Sequence, residues 1–176
     1  MPLPSDVTIR DARDDELDAV GLLTEEAYEE YMPGDEATAE RRAAFDTYRM
    51  DIRDVRERVE RGATVIVAER DGRLIGSATY YAPGVDKSEE GWPAEMAGMR
   101  LLGVLPAERG HGIGRALTDE TLRRARSAGA PSFGLHTTEL MAIARAMYER
   151  MGFVRVPEND FSPAPDLLVT AYRLEL

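Results

Sequence analysis

The sequence has 176 residues, a formal net charge of −11 and no cysteine, and its length fits one domain over residues 1–176 with a core of its own. The lack of cysteine excludes disulfides, thiolate metal sites and a cysteine nucleophile, and the acidic balance argues against a broad nucleic-acid surface, which is built from excess Lys and Arg. No apolar run approaches the roughly 20 residues of a membrane helix, and the first ten residues, MPLPSDVTIR, lack the basic head and apolar stretch of a signal peptide, so the expected setting is cytoplasmic.

Val7 to Arg10 alternates and reads as a short first strand. Arg13 to Glu29 carries Leu17, Val20, Leu23 and Ala27 at helical spacing, and Met32-Pro33-Gly34-Asp35 then breaks the chain. Ala37 to Val59 reads as one second helix, with Phe45, Tyr48, Ile52, Val55 and Val59 on one face. Thr64 to Ala68 is a buried-type strand, Asp71-Gly72 centres a hairpin turn, and Leu74 to Tyr81 returns. A loop from Pro83 to Pro93 holds Lys87, the only lysine, and Trp92; Met96 to Val104 is a third long strand. The pattern then switches: helix Ile113 to Ala128, strand Ser132 to Thr137, helix Leu140 to Met151 and strand Phe153 to Val156. Pro157 to Pro165, with three prolines, reads as irregular, and Leu167 to Leu174 as a final strand. Antiparallel strands followed by crossover helices indicate a mixed sheet in an α/β or α+β domain.

The most informative stretch is Leu102-Gly103-Val104-Leu105-Pro106-Ala107-Glu108-Arg109-Gly110-His111-Gly112-Ile113-Gly114-Arg115. A strand ends, a proline stops pairing and a glycine-rich turn opens a helix. Glycines at 110, 112 and 114 let backbone amides approach an anion closely, and a helix N-terminus adds unpaired N–H groups and a favourable dipole. Arg109 adds positive charge at the mouth. The combination suits a diphosphate; the alternative is a strand-to-helix turn that uses glycine for geometry alone. No Lys-Ser or Lys-Thr follows, and the spacing is G-x-G-x-G, so neither the P-loop nor the dinucleotide fingerprint fits.

Arg109-x-x-Gly112-x-Gly114, with Val104-Leu105-Pro106 before it and Ala116-Leu117 after it, resembles the R/Q-x-x-G-x-G/A signature of the GNAT superfamily of N-acetyltransferases. Ala144 to Phe153 is similar to that family's A-x-x-x-Y-x-x-x-G-F segment, and the resemblance covers about residues 96 to 156. It implies a GNAT-like fold with a central six- to seven-stranded mixed sheet and about four helices, acetyl-CoA as cosubstrate, and transfer of its acetyl group to a primary amine of a small molecule or peptide. It also implies that the strand Met96–Val104 splays from its neighbour. Main-chain groups of Leu102, Gly103 and Val104 would then pair with pantetheine, the Val104 N–H would polarise the thioester carbonyl, and the turn Arg109, Gly110, His111, Gly112, Ile113, Gly114, Arg115 would hold the diphosphate.

Amine attack on a thioester also needs a neutral amine and a proton for the departing thiolate. Tyr148 is the candidate acid, since a phenol of pKa ~10 can protonate a thiolate whose conjugate acid lies near ~8.5 or above; otherwise it is a core tyrosine. The family often carries Asn seven residues before this Tyr, where this chain has Met141, so Met141 is a cofactor contact without that hydrogen bond. For the base, the position favoured by analogy is Gly98, which leaves Glu95, with Glu89 and Glu90 near it, or a solvated strand-end role for that acid. Tyr28, Tyr31, Tyr80 and Trp92 are candidates for the acceptor wall, with helix-face packing as the alternative, and His136 for a base or an acceptor contact, with a packed or surface residue as its alternative. His111 and His136 lack metal-site spacing, so no metal is expected. An acidic surface favours a cationic acceptor at the encounter stage and otherwise serves solubility. A non-catalytic acyl-CoA sensor is the alternative function, no nucleic-acid or membrane partner is expected, and pairing as a homodimer is left open.

Overall fold

A computed structural model describes residues 3–34, 36–87 and 91–176. Among the described residues, five helices pack on the two faces of an eight-stranded mixed sheet. The strands are β1 (Val7–Asp11), β2 (Thr64–Arg70), β3 (Arg73–Tyr81), β4 (Ala97–Val104), β5 (Ser132–Thr138), β6 (Val154–Arg155), β7 (Phe161–Ala164) and β8 (Leu167–Glu175). Their spatial order is β1-β2-β3-β4-β5-β8-β6, with β7 also against β8. β4 and β5 form a parallel pair; the remaining pairs are antiparallel.

One face carries α1 (Leu17–Tyr28), α2 (Ala39–Arg53) and α3 (Val55–Glu60); the other carries α4 (Ile113–Ser127) and α5 (Ala142–Arg150). Strand alternation feeds both layers. Ile66, Ala68, Ala78, Met99, Phe133 and Leu135 join Ile113, Leu117 and Tyr148 in the main core, while Val65 and Val67 meet Leu17, Val20 and Val55 on the opposite side.

The sheet and helix order matches expectation, with two corrections. The stretch expected as one helix is two, because Asp54 leaves helical geometry at φ −81°, ψ 57° and accepts from the Glu57 N–H (3.3 Å). Aspartate competes with the helix by bonding local backbone, and the bend turns α3 onto the sheet beneath Val55. The segment expected as irregular contains β7, which tolerates Pro163 because it pairs with β8 alone.

At the open edge, Arg10 holds both carboxylate oxygens of Glu16 (2.8 and 2.7 Å) and also pairs with Glu69. The bond to Arg10 lowers the Glu16 carboxyl from 4.5 to about 2. The pairing therefore stabilises the fold above the ordinary carboxylate pKa, and its contribution is lost as pH falls towards 2. Glu16→Gln is expected to cost about 1 kcal/mol at neutral pH, discounted for solvent screening. In urea melts the difference from wild type should close near pH 2.

Candidate active site

β4 and β5 separate as they leave their shared end. Their parallel pairing covers Ala97↔Phe133, Gly98↔Gly134 and Met99↔Leu135 and stops there, although β4 continues to Val104 and β5 to Thr138. On the other edge of β4, Leu101 and Leu102 stand opposite the single residue Ala78 of β3. This is a bulge, and Leu101 takes a left-handed φ of 54° within it. A bulge bends its strand, and such backbone in a non-glycine residue is costly and persists where the surroundings impose it. Leu105 N–H donates to Ile75 in β3 (3.0 Å). Because N–H directions alternate along a strand, the Val104 N–H is turned to the open side.

The turn after β4 continues that open edge. Pro106–Glu108 forms a 3-10 turn, Gly110 and Gly112 take φ of 79° and 81°, and Gly112 is the N-cap of α4. The first bond of α4 runs from Ala116 N–H to the Gly112 carbonyl (2.9 Å). The N–H groups of Ile113, Gly114 and Arg115 therefore face out of the helix end, and a Cβ added at Gly110 would meet no atom within 4 Å. These amides fit a diphosphate. Arg109 departs from expectation: its Nε donates to the Val104 carbonyl (3.1 Å), its Nη2 to the Ala27 carbonyl (2.8 Å), and its Nη1 pairs with Glu30. It ties the turn to the C-terminal end of α1, whose last carbonyls need donors, instead of standing as a charge at the mouth. Arg115 is exposed and paired with Asp119 (2.9 Å), and the exposed His111 ring turns back to the Glu108 carbonyl (3.2 Å).

Beyond the split lies a cavity of about 210 Å³. Tyr28 and Tyr31 from the α1 end, Phe45 and Tyr48 from α2, and Arg100 and Leu101 from β4 form one part of its wall. His136 and Thr138 from β5, Met141 at the start of α5, and Phe161 from β7 form the other. Arg100 is paired with Asp51 (2.9 Å). Across the gap, Tyr148 is buried on α5 with its ring edge-on to Phe153 at 5.7 Å, and burial raises its phenol above the usual range. Burial also raises Tyr28, whose hydroxyl bonds with Tyr48 and lies within electrostatic reach of Tyr148. Tyr148 itself packs in the main core and does not line the cavity.

A model of the acetyltransferase (GNAT) family matches residues 23–153. The chain belongs to the GNAT acetyltransferase family. Curated relatives include a mycothiol acetyltransferase of Cellulomonas flavigena, 36% identical over 71% of this chain and 39% of its own length. A second, from Thermobispora bispora, is 37% identical over 53% of this chain and 30% of its own length. The chain therefore spans well under half of these relatives. Among solved structures, a Salmonella typhimurium protein bound to its cofactor acetyl-CoA aligns with a TM-score of 0.66 at 20% identity, over 98% of this chain and 95% of its own. A GCN5-related N-acetyltransferase from Kribbella flavida aligns with a TM-score of 0.66 at 22% identity, over 98% and 99%. These likenesses show the shared GNAT fold.

Against that fold, the expected site residues divide into two groups. Tyr28, Tyr31, His136 and Met141 line the cavity, and Leu102, Gly103 and Val104 lie on the split strand. Tyr80 does not reach the cavity: it packs in the main core on the α4 face, near Arg124. Trp92 is buried behind His136, with ring centroids 5.1 Å apart. Glu95 is exposed in the turn before β4, at the paired end and away from the split. Glu89 and Glu90 lie outside the described residues. A side chain at position 98 would be crowded, because a Cβ there would sit 3.2 Å from the Gly134 carbonyl and 3.3 Å from Lys87 Cδ. Among the described residues no group of His, Asp or Glu could hold a metal ion, and no helix is long and apolar enough to cross a membrane.

Sequence reasoning missed Thr138, Leu140 and Phe161. Thr138 follows His136 by two on β5, so strand alternation was its available signal. His136 donates from Nε2 to the Asn159 carbonyl (3.1 Å), its Nδ1 is buried, and Phe161 lies edge-on at 5.2 Å. It serves as wall. Its backing is tight: a Cβ at Gly134 would sit 2.6 Å from Trp92 Cδ2 and Cε2. Gly134→Ala should therefore displace Trp92 and destabilise the fold by about 1–3 kcal/mol, read as a lower midpoint in thermal or denaturant melts.

Proposed function

We propose that this protein is an N-acetyltransferase that moves the acetyl group of acetyl-CoA to an amine by direct attack on the thioester. The observation that carries the reading is the early end of β4–β5 pairing, which leaves the Val104 N–H on an open edge directly before the amide-rich turn. Acetyl-CoA supplies the activated acetyl group. The amides from Gly110 to Arg115 hold its diphosphate, and the backbone of Leu102, Gly103 and Val104 receives the pantetheine arm as an added strand. The Val104 N–H donates to the carbonyl oxygen as negative charge builds there.

The nitrogen–carbon bond forms as the carbon–sulfur bond breaks, and Tyr148 gives its proton to the sulfur. The proton shed by the nitrogen restores the phenol through solvent. Burial favours a phenol that stays protonated, and it raises the thiol in the same dry setting. Glu95 has no part in this scheme, since it stands at the wrong end of β4. The likeness to the mycothiol acetyltransferases supports acetyl transfer, and a small-molecule amine suits the cavity better than a peptide.

Thiol release from acetyl-CoA across a panel of amines tests the reading. Amine-dependent release is the expected result. Calorimetric binding of acetyl-CoA without release on any acceptor would favour an acyl-CoA sensor.

A further inference from the structure

We infer that the acceptor is a small amine carried on an apolar, aromatic body with no second positive charge. This rests on the acetyl-transfer reading and assigns the acceptor class of the same site. Phe45, Leu101, Leu140, Phe161, Pro163 and Val169 supply apolar surface from α2, β4, β7 and β8 and from the segment before α5. Tyr28, Tyr48 and His136 add ring faces and edges, which favour offset or edge-on packing with a planar group.

Among the described residues no carboxylate lines the wall, and the one charged group there is the Arg100 guanidinium. A polycation that entered would leave a charge in a site with no anion to receive it, which is costly. The acidic surface thus attracts amines to the protein, while the cavity sorts them. Thr138, on the same side of β5 as His136, lines it, and its hydroxyl is buried with no hydrogen-bond partner among the described residues. Buried hydroxyls are normally satisfied, and a neutral polar group on the acceptor would do so.

Size and enclosure agree. At about 210 Å³ the cavity falls below the roughly 300–1,000 Å³ of drug-sized sites. Arg41 of α2 bonds Asp166 in the turn between β7 and β8 (2.7 Å), joining the two elements that carry Phe45 and Phe161. A small acceptor fits under this closure, and an aminoglycoside does not.

The test is calorimetric titration of the CoA-saturated protein with phenethylamine, spermidine and kanamycin. Phenethylamine should bind at least about tenfold more tightly than either polycation. Ala44→Glu, which adds a carboxylate to the wall, should narrow or reverse that order, while the neutral Ala44→Gln of similar size should keep it. Tighter binding of spermidine or kanamycin to the wild type, or no binding of any amine, would overturn the inference. A parallel acetyl-CoA titration separates the two levels of the argument. Normal acetyl-CoA binding with an inverted amine order sinks the acceptor class alone, and absent acetyl-CoA binding sinks the acetyl-transfer reading with it.

Discussion

Replacing Gly112 with aspartate is expected to weaken acetyl-CoA binding by at least about a hundredfold, or about 2.7 kcal/mol, while the fold survives. Gly112 is the N-cap of α4 at φ 81°. Aspartate tolerates left-handed backbone better than most residues, so the folding cost is about 1–2 kcal/mol. Its carboxylate would stand beside the outward N–H groups of Ile113, Gly114 and Arg115. Fixed negative charge is stabilised at a helix N-terminus, so the side chain would take the donors intended for the diphosphate and repel it as well. Gly112→Asn separates the causes, since it has the same shape and backbone tolerance without the charge. Calorimetry should show a much smaller loss for asparagine. Equal binding by the aspartate variant and wild type would remove the turn from the cosubstrate site.

Tyr148→Phe should lower turnover by about a hundredfold, near the lower end of what a positioned general acid contributes, with acetyl-CoA affinity changed by less than about threefold. The phenol is buried against Phe153, and phenylalanine keeps that packing. The proton donor is then the only large loss. Steady-state kinetics with two acetyl donors sharpens the test. A thioester of a more acidic thiol needs less help on departure, so the variant should lose far less rate with it. A purely packing role would penalise both donors alike, and unchanged turnover would remove the acid role.

The parts of the site that depend on near neighbours in the chain were legible in the sequence. The run from Leu102 to Arg115 is a strand end, a proline, glycines and a helix start, and local chemistry dictates that geometry. The second motif placed Tyr148 on a helix that packs across β5 for the same reason. The bulge was not legible, because Leu101 in left-handed backbone contradicts its intrinsic preference and arises only from pairing with β3. Tyr80 was misplaced because alternation says that neighbours on β3 face opposite ways, not which way meets α4. The cavity was hidden for a related reason. It is assembled from α2, β5 and β7, and the Arg41–Asp166 bond over it joins residues 125 apart. β7 itself, Phe-Ser-Pro-Ala, has no periodic signal. The break at Asp54 was not legible either, because Asp46 and Asp51 stand in the same run and remain helical in α2.

The most direct test of the account is a crystal structure with a non-hydrolysable thioether analogue of acetyl-CoA. The diphosphate should lie on the amides from Gly110 to Arg115, and the carbonyl oxygen should accept from Val104 N–H between β4 and β5. An analogue bound on another face, or a gap closed by β4–β5 pairing beyond Met99 and Leu135, would contradict it.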